Sequence, residues 1–105
     1  GDIALGIPFN VAAYALLTQI IANEVGMDVG VFSHFIVDAH IYTAKADGSM
    51  AEYDHVPGLL AQLAREPRVL PTRHIAQKPM DELTFEDFRL EGYDPHPRIA
   101  FKVAV

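Results

Sequence analysis

Between residues 8 and 25 the apolar positions fall almost all the way round a helical repeat: Phe9, Val11, Tyr14, Leu16, Leu17, Ile20, Ile21 and Val25. An all-round apolar helix is the pattern of a buried one. Pro8 suits its first turn and Gly26 its C-terminal stop. After a turn at residues 28–30, the stretch VFSHFIVDAHIY (residues 31–42) changes to a period of two and predicts a strand. His34, Ile36, Asp38, His40 and Tyr42 share one face, while Phe35, Val37, Ala39 and Ile41 share the other. Residues 43–52 predict an exposed loop turning at Asp47-Gly48. A short helix follows over residues 56–65, with Leu59, Leu60 and Leu63 inward, and Pro67 ends it. Residues 72–77 carry a short strand signal, and residues 81–88 read as a helical turn or two or as an acidic loop held by Phe85 and Phe88. Residues 91–97 contain two X-Pro bonds and predict irregular chain, and residues 98–105 alternate as a final strand. The sum is an α+β class: one domain over residues 1–105, with a buried helix packed on a mixed sheet.

Composition narrows the chemistry. Half the residues are hydrophobic and a fifth are charged, which is a globular balance. A net charge of −6 argues against a nucleic-acid surface, which wants clustered Lys and Arg. It leaves room for a single nucleotide, which needs only a few placed donors. No cysteine is present, so these residues hold no disulfide framework, no thiolate metal site and no thiol nucleophile. Asn10, Thr18 and Gln19 interrupt the longest apolar run, which argues against a membrane span. No basic leader precedes the first helix, and the opening at Gly1-Asp2 is that expected of a fragment.

Two groups of polar residues stand out. Asn10 is the one strongly polar side chain in ALGIPFNVAAYALL, where an unpaired buried amide costs about 1–3 kcal/mol. It is either a helix cap or the partner of something outside the chain. As a partner, its amide offers a donor beside an acceptor, which matches N3–H and O4 of a uracil ring. On the expected strand, His34, Asp38, His40 and Tyr42 line one face. Asp38-x-His40 with His34 is a conceivable metal set, but no further His, Asp or Glu completes the shell, and no metal is expected. Imidazole and hydroxyl side by side at 40 and 42 suit a sugar hydroxyl as well. The plain alternative is a strand face turned to water.

In order along the chain, "GDIALGIPFNVAAYALLTQIIA", "DAHIY", "REPR.LP" and "FEDF.LEGYDPHP" resemble the blocks of thymidylate synthases, over nearly all of the 105 residues. The resemblance implies reductive methylation of dUMP to dTMP with 5,10-methylenetetrahydrofolate as co-substrate. The steps are thiolate attack on the pyrimidine, one-carbon transfer and hydride transfer from the folate. It implies that Asn10 meets the pyrimidine edge, and that His40 and Tyr42 bind the sugar hydroxyl. Asp2, with Gly6 and Phe9, is then expected at the folate, and the carboxylate of Val105 closes over it. A homodimer in the full-length protein and a cytoplasmic location are implied too. The departures are equally plain. The family's nucleophilic Cys and most of its phosphate-binding arginines lie upstream of Gly1, so this chain alone is expected to be inactive. Val37 replaces a usual Gly, and residues 43–53 read as an insertion of roughly ten residues, a length that adds little loop-closure cost. Two rival functions are a pyrimidine nucleotide hydroxymethylase and a non-catalytic nucleotide-binding or interaction fragment. A cytosine-reading relative is expected to carry Asp at position 10, so Asn10 favours uracil.

Overall fold

The computed structural model describes residues 1–103. The chain divides into two compact units. One contains Gly1–Val11, His34–Pro67 and the chain from Pro97 on; the other contains Ala12–Ser33 and Arg68–His96.

An aspartate starts the first helix. The first amides of a helix have no partner within it. Here Asp2 Oδ1 accepts from the amides of Ala4 at 2.9 Å and Leu5 at 3.1 Å, and the Asp2 carbonyl accepts from Ile7 N–H at 2.8 Å. Helix α1 then runs over Gly6–Val25. Its end is equally well defined. Met27 N–H returns to the Ala22 carbonyl at 2.9 Å and Gly26 N–H to the Asn23 carbonyl at 3.3 Å, with Gly26 at φ +66°. That pair of bonds needs a left-handed residue, and glycine takes that conformation without strain. Asn10 is therefore not a cap: α1 begins at Gly6, and the capping oxygen belongs to Asp2.

In the first unit, residues 31–42 depart from the strand expected of them. Among the described residues their sheet pairing is one parallel bridge, Asp2 with His40. Ile3 N–H donates to the His40 carbonyl and His40 N–H to the Gly1 carbonyl, each at 3.1 Å. Alternation fixes which side chains share a face, but it supplies no neighbour for the backbone, and a strand forms only where its N–H and C=O groups find one. Residues 43–54 leave and return to one point, where His55 N–H donates to the Tyr42 carbonyl at 3.0 Å. Inside that loop, the expected turn is present. Gly48 at φ +78° closes a Lys45–Ser49 reversal, and Asp47 Oδ1 accepts from the Ser49 amide at 2.9 Å and from Ser49 Oγ at 2.6 Å. Those two bonds lower the Asp47 pKa, the hydroxyl contributing most.

Helix α2, Val56–Leu63, follows directly, its first amide capped by Asp54 Oδ1 at 3.0 Å. Residues 98–103 form no strand, and the last part of the expected final strand, Ala104 and Val105, lies outside the described residues. This segment instead packs side chains on α2. A Cβ at Gly58 would fall 2.9 Å from Phe101 Cζ and 3.1 Å from Ile99 Cγ2, closer than carbons tolerate.

In the second unit, β1 (Thr72–Ile75) pairs antiparallel with β2 (Phe88–Glu91), Thr72 opposite Glu91 and Ile75 opposite Phe88. β1 matches the short strand expected near 72–77, whereas β2 lies where a helical turn was expected to end. The connection is held by Asp87. Its carboxylate accepts from Thr84 N–H at 2.9 Å and Thr84 Oγ1 at 3.1 Å, and pairs with Lys78 Nζ at 2.7 Å. Lys78 first, and then the Thr84 amide, hold the Asp87 pKa below the usual carboxylate value. Two arginines of REPR hold the irregular segment: in this unit Arg68 donates to the Asp94 carbonyl at 3.2 Å and its Oδ2 at 2.5 Å, and in the first unit Arg65 donates to the Pro97 carbonyl at 2.7 Å.

The α+β class holds, as two α-helices and a two-stranded antiparallel sheet among the described residues. The apolar girdle of α1 is only thinly covered by this chain: Ala22 is buried, while Tyr14, Ile21 and Val25 are 58%, 48% and 59% exposed. No helix among the described residues is long and apolar enough to cross a membrane. The close approach at Gly58 yields a direct test. Gly58→Ala should destabilise the protein by about 1–3 kcal/mol, the usual cost of overpacking, as a lower urea midpoint at unchanged m. An unshifted midpoint would mean that α2 does not lie against Phe101.

Candidate functional site

Every described residue singled out above for ligand contact (Asp2, Gly6, Phe9, Asn10, His40 and Tyr42) belongs to the first unit. Val105 lies outside the described residues. Asp2 and His40 are joined by the parallel bridge, so the start of the chain and the His40 strand position are in register. Residues 40 and 42 lie on the same side of an extended backbone, and their rings meet edge to face, with centroids 5.3 Å apart and planes at 82°. Both are half-buried. His40 Nδ1 also lies 3.7 Å from the exposed Asp38 carboxylate.

Asp2 is a carboxylate with its two oxygens in different situations. Oδ1 is engaged by the Ala4 and Leu5 amides, whereas Oδ2 accepts no hydrogen bond among the described residues. Gly6 stands beside it, where an added Cβ would come within 3.7 Å of Asp2 Cβ, an ordinary contact. Packing therefore does not demand a glycine here, and φ at Gly6 is not positive. One turn further on, Asn10 is exposed, and its amide makes no hydrogen bond among the described residues. Phe9, next to it, is 75% exposed. An amide, an aromatic face and a bare helix turn beside a carboxylate are groups that a flat heterocycle with N–H and C=O edges can engage.

His34 and Asp38 do not join His40 in a ligand shell. Among the described residues no three His, Cys, Asp or Glu side chains stand close enough to hold a metal ion. The loss of strand geometry over residues 31–39 is the reason, since the shared face existed only in a regular strand.

The residue that sequence reasoning missed is His55. It is only 1% exposed, the largest fully buried side chain among the described residues. Its ring lies edge-on to Tyr42, centroids 5.5 Å apart, and to Phe101 at 5.0 Å. His55 Nε2 is 2.8 Å from the Lys102 carbonyl. A carbonyl can only accept, so Nε2 carries the proton. Nδ1 is buried without a hydrogen-bond partner, 3.9 Å from Asp2 Oδ1. Lys102 itself is held from outside: its ammonium pairs with Glu52 and stands 5.9 Å from the Tyr53 ring centroid. Glu52 beside it raises the Lys102 pKa above the usual lysine value. The sequence signal for His55 was faint. It is a single His before a helix-starting Val-Pro, after a loop whose closure onto Tyr42 no local pattern announces.

With this geometry in place, comparison with known proteins is informative. The profile of the thymidylate synthase family matches residues 1–105. The chain is 45% identical over 107 residues to the thymidylate synthase of Homo sapiens, covering all of this chain and 31% of the human protein. It is 39% identical over 145 residues to the thymidylate synthase of Haloferax volcanii, covering 99% of this chain and 42% of that relative. The chain thus spans less than half the length of either relative. It belongs to the thymidylate synthase family.

Proposed function

We propose that this chain is the C-terminal portion of a thymidylate synthase that methylates dUMP to dTMP with 5,10-methylenetetrahydrofolate. The observation that carries the reading is Asn10. Its amide is exposed inside α1, while the capping it was a candidate for is done by Asp2. A side-by-side donor and acceptor left free on a helix suits the O4 and N3–H edge of uracil. His40 Nε2 and the Tyr42 hydroxyl are the groups for the deoxyribose hydroxyl, their rings braced edge to face. Asp2 Oδ2, the open turn at Gly6 and the exposed Phe9 ring form a set that fits a pterin, which presents ring N–H and amino donors and a flat face. Val105 is proposed as the residue whose terminal carboxylate covers the folate. The folate, when bound, supplies the one-carbon unit and the hydride. This chain's part is to bind and orient both molecules, since it holds no thiol to attack the ring.

A homodimer and a cytoplasmic setting belong to the same proposal. The exposed apolar girdle of α1 supports a covered state for that face in the complete enzyme. The missing cysteine favours one rival, a fragment that binds nucleotide without turnover.

Three measurements test the proposal. Purified 105-residue protein should release no tritium from 5-labelled dUMP with the folate present, whereas the chain joined to the upstream part of the Haloferax volcanii relative should. Release by the chain alone would overturn the division of labour. In that joined enzyme, Tyr42→Phe should weaken dUMP binding by about 0.5–1.5 kcal/mol, the net worth of one hydrogen bond. Unchanged affinity would remove Tyr42 from the sugar site. Asn10→Asp should selectively reduce kcat/KM for dUMP relative to dCMP. An ionised carboxylate opposes O4 lone pair to lone pair, whereas the amino group of cytosine donates to it. A ratio that stays put in a folded variant sinks the pyrimidine role of Asn10.

A further inference from the structure

The second unit holds a hollow of about 490 Å³ that the proposed chemistry leaves unused. Its walls follow from two periodicities. Ala12, Ala15 and Leu16 stand three and four residues apart on one side of α1, and the two small side chains leave the room. Phe88 and Leu90 alternate onto one face of β2, where Leu90 lies opposite Arg73 of β1. Phe85, 88% exposed, lines the same hollow from the turn before β2. Apolar walls of this extent with a few charged groups are the usual form of a small-molecule site.

The charged groups at the hollow are of one sign. Arg73 and Arg89 both line it, in a chain with 14 acidic residues and 8 basic ones. Neighbouring carboxylates are engaged elsewhere: Glu91 meets His74 at 3.0 Å, Asp87 meets Lys78 at 2.7 Å, and Glu24 accepts from Met80 N–H at 2.9 Å. Among the described residues no carboxylate pairs with either arginine. Arg73 is held in place all the same. Its Nη2 donates to Gln19 Oε1 at 3.1 Å, and Gln19 Nε2 donates in turn to Asn23 Oδ1 at 3.0 Å. A neutral amide fixes a guanidinium without cancelling its charge, and it uses one of five donors. A positively charged fork, held beside an apolar wall, is prepared for a carboxylate.

We propose that this hollow binds an organic anion with a flat apolar body and one carboxylate. Arg73 takes the carboxylate, and Arg89 adds a second positive charge. Phe85, Phe88, Leu90 and the alanine side of α1 take the body. A neutral occupant would cover the same walls but leave both arginines without a counter-charge.

The test uses the joined, complete enzyme and two probes, N-acetyltryptophan and N-acetyltryptophanamide. They share one body and differ in the carboxylate. In equilibrium dialysis the acid should saturate at one molecule per subunit, and the amide should bind about tenfold more weakly, the scale of one charge-assisted hydrogen bond. Arg73→Gln should weaken the acid by about the same factor and leave the amide unmoved. Arg73→Lys should recover part of the loss, which a damaged fold would not. Phe85→Ala should weaken acid and amide alike, and Ala12→Leu, which fills the hollow, should weaken both further. Equal affinity for acid and amide overturns the proposal, as does an Arg73→Gln variant that binds the acid like the parent. Uptake that never saturates overturns it too, as adsorption to exposed apolar surface. No uptake by the joined enzyme also overturns it, because the upstream part or a second subunit then covers the hollow.

Discussion

A buried imidazole holds the first unit together. His55 is where three stretches far apart in sequence meet: Asp2 at the start, Tyr42 before the loop, and Phe101-Lys102 near the end. Its backbone does as much as its ring. His55 N–H closes the loop onto Tyr42 and its carbonyl accepts from Leu59 N–H at 3.0 Å, so one residue ends the excursion and begins α2. A polar ring is a poor choice for a core unless its hydrogen bonds are placed, and here one is placed and one is not. The aromatic neighbours explain how the ring is tolerated: edge-on contacts suit the charge distribution of the ring systems and shield Nε2–H from water.

That closure also explains how a loop of this length can sit next to the proposed sugar contact. Because residues 43–54 leave from Tyr42 and return to His55 through one backbone bond, the two rings are neighbours whatever lies between them. The loop stabilises itself through Asp47, Ser49 and Gly48. Met50, at φ +63°, carries the strain of the reversal, since a non-glycine residue is disfavoured there. The loop's last residues then reach back through Glu52 and Tyr53 to Lys102. It is thus attached to the segment that His55 holds, and not a bystander.

What was legible in the sequence follows from range. α1 and its glycine stop, α2, the Asp47-Gly48 turn and β1 are local patterns, and each was read within a few residues of its place. The strand expected over residues 31–42 was not formed, because alternation describes one edge of a sheet and among the described residues the chain offers it only Asp2 as a bridge partner. β2 was hidden because Phe85, Phe88 and the acidic residues between them suit a helical turn equally well; one turn does form, over Phe85–Asp87, before the strand. The apolar girdle of α1 predicted a buried helix, but among the described residues Ala22 is the one residue of α1 that is buried.

The residues of the proposed site were singled out in a different way. Asn10, His40 and Tyr42 announced themselves as chemistry out of place, an amide in an apolar run and two ring residues in alternation. His55 had no such contrast, being one polar residue in a polar neighbourhood until the fold buried it. The competing accounts of Asn10 show what structure adds. From sequence, a cap and a ligand contact are both consistent with an Asn near a helix start. The geometry separates them, because a cap must stand before the first turn and its oxygen must reach the second or third amide. Asp2 meets the need for an oxygen at the start of α1, and Asn10 stands one turn inside it. An interior helical Asn is a weak helix former, at a cost of several tenths of a kcal/mol relative to Ala. The cap reading is thereby removed, and the proposed pyrimidine contact rests on the side-by-side donor and acceptor that Asn10 leaves exposed.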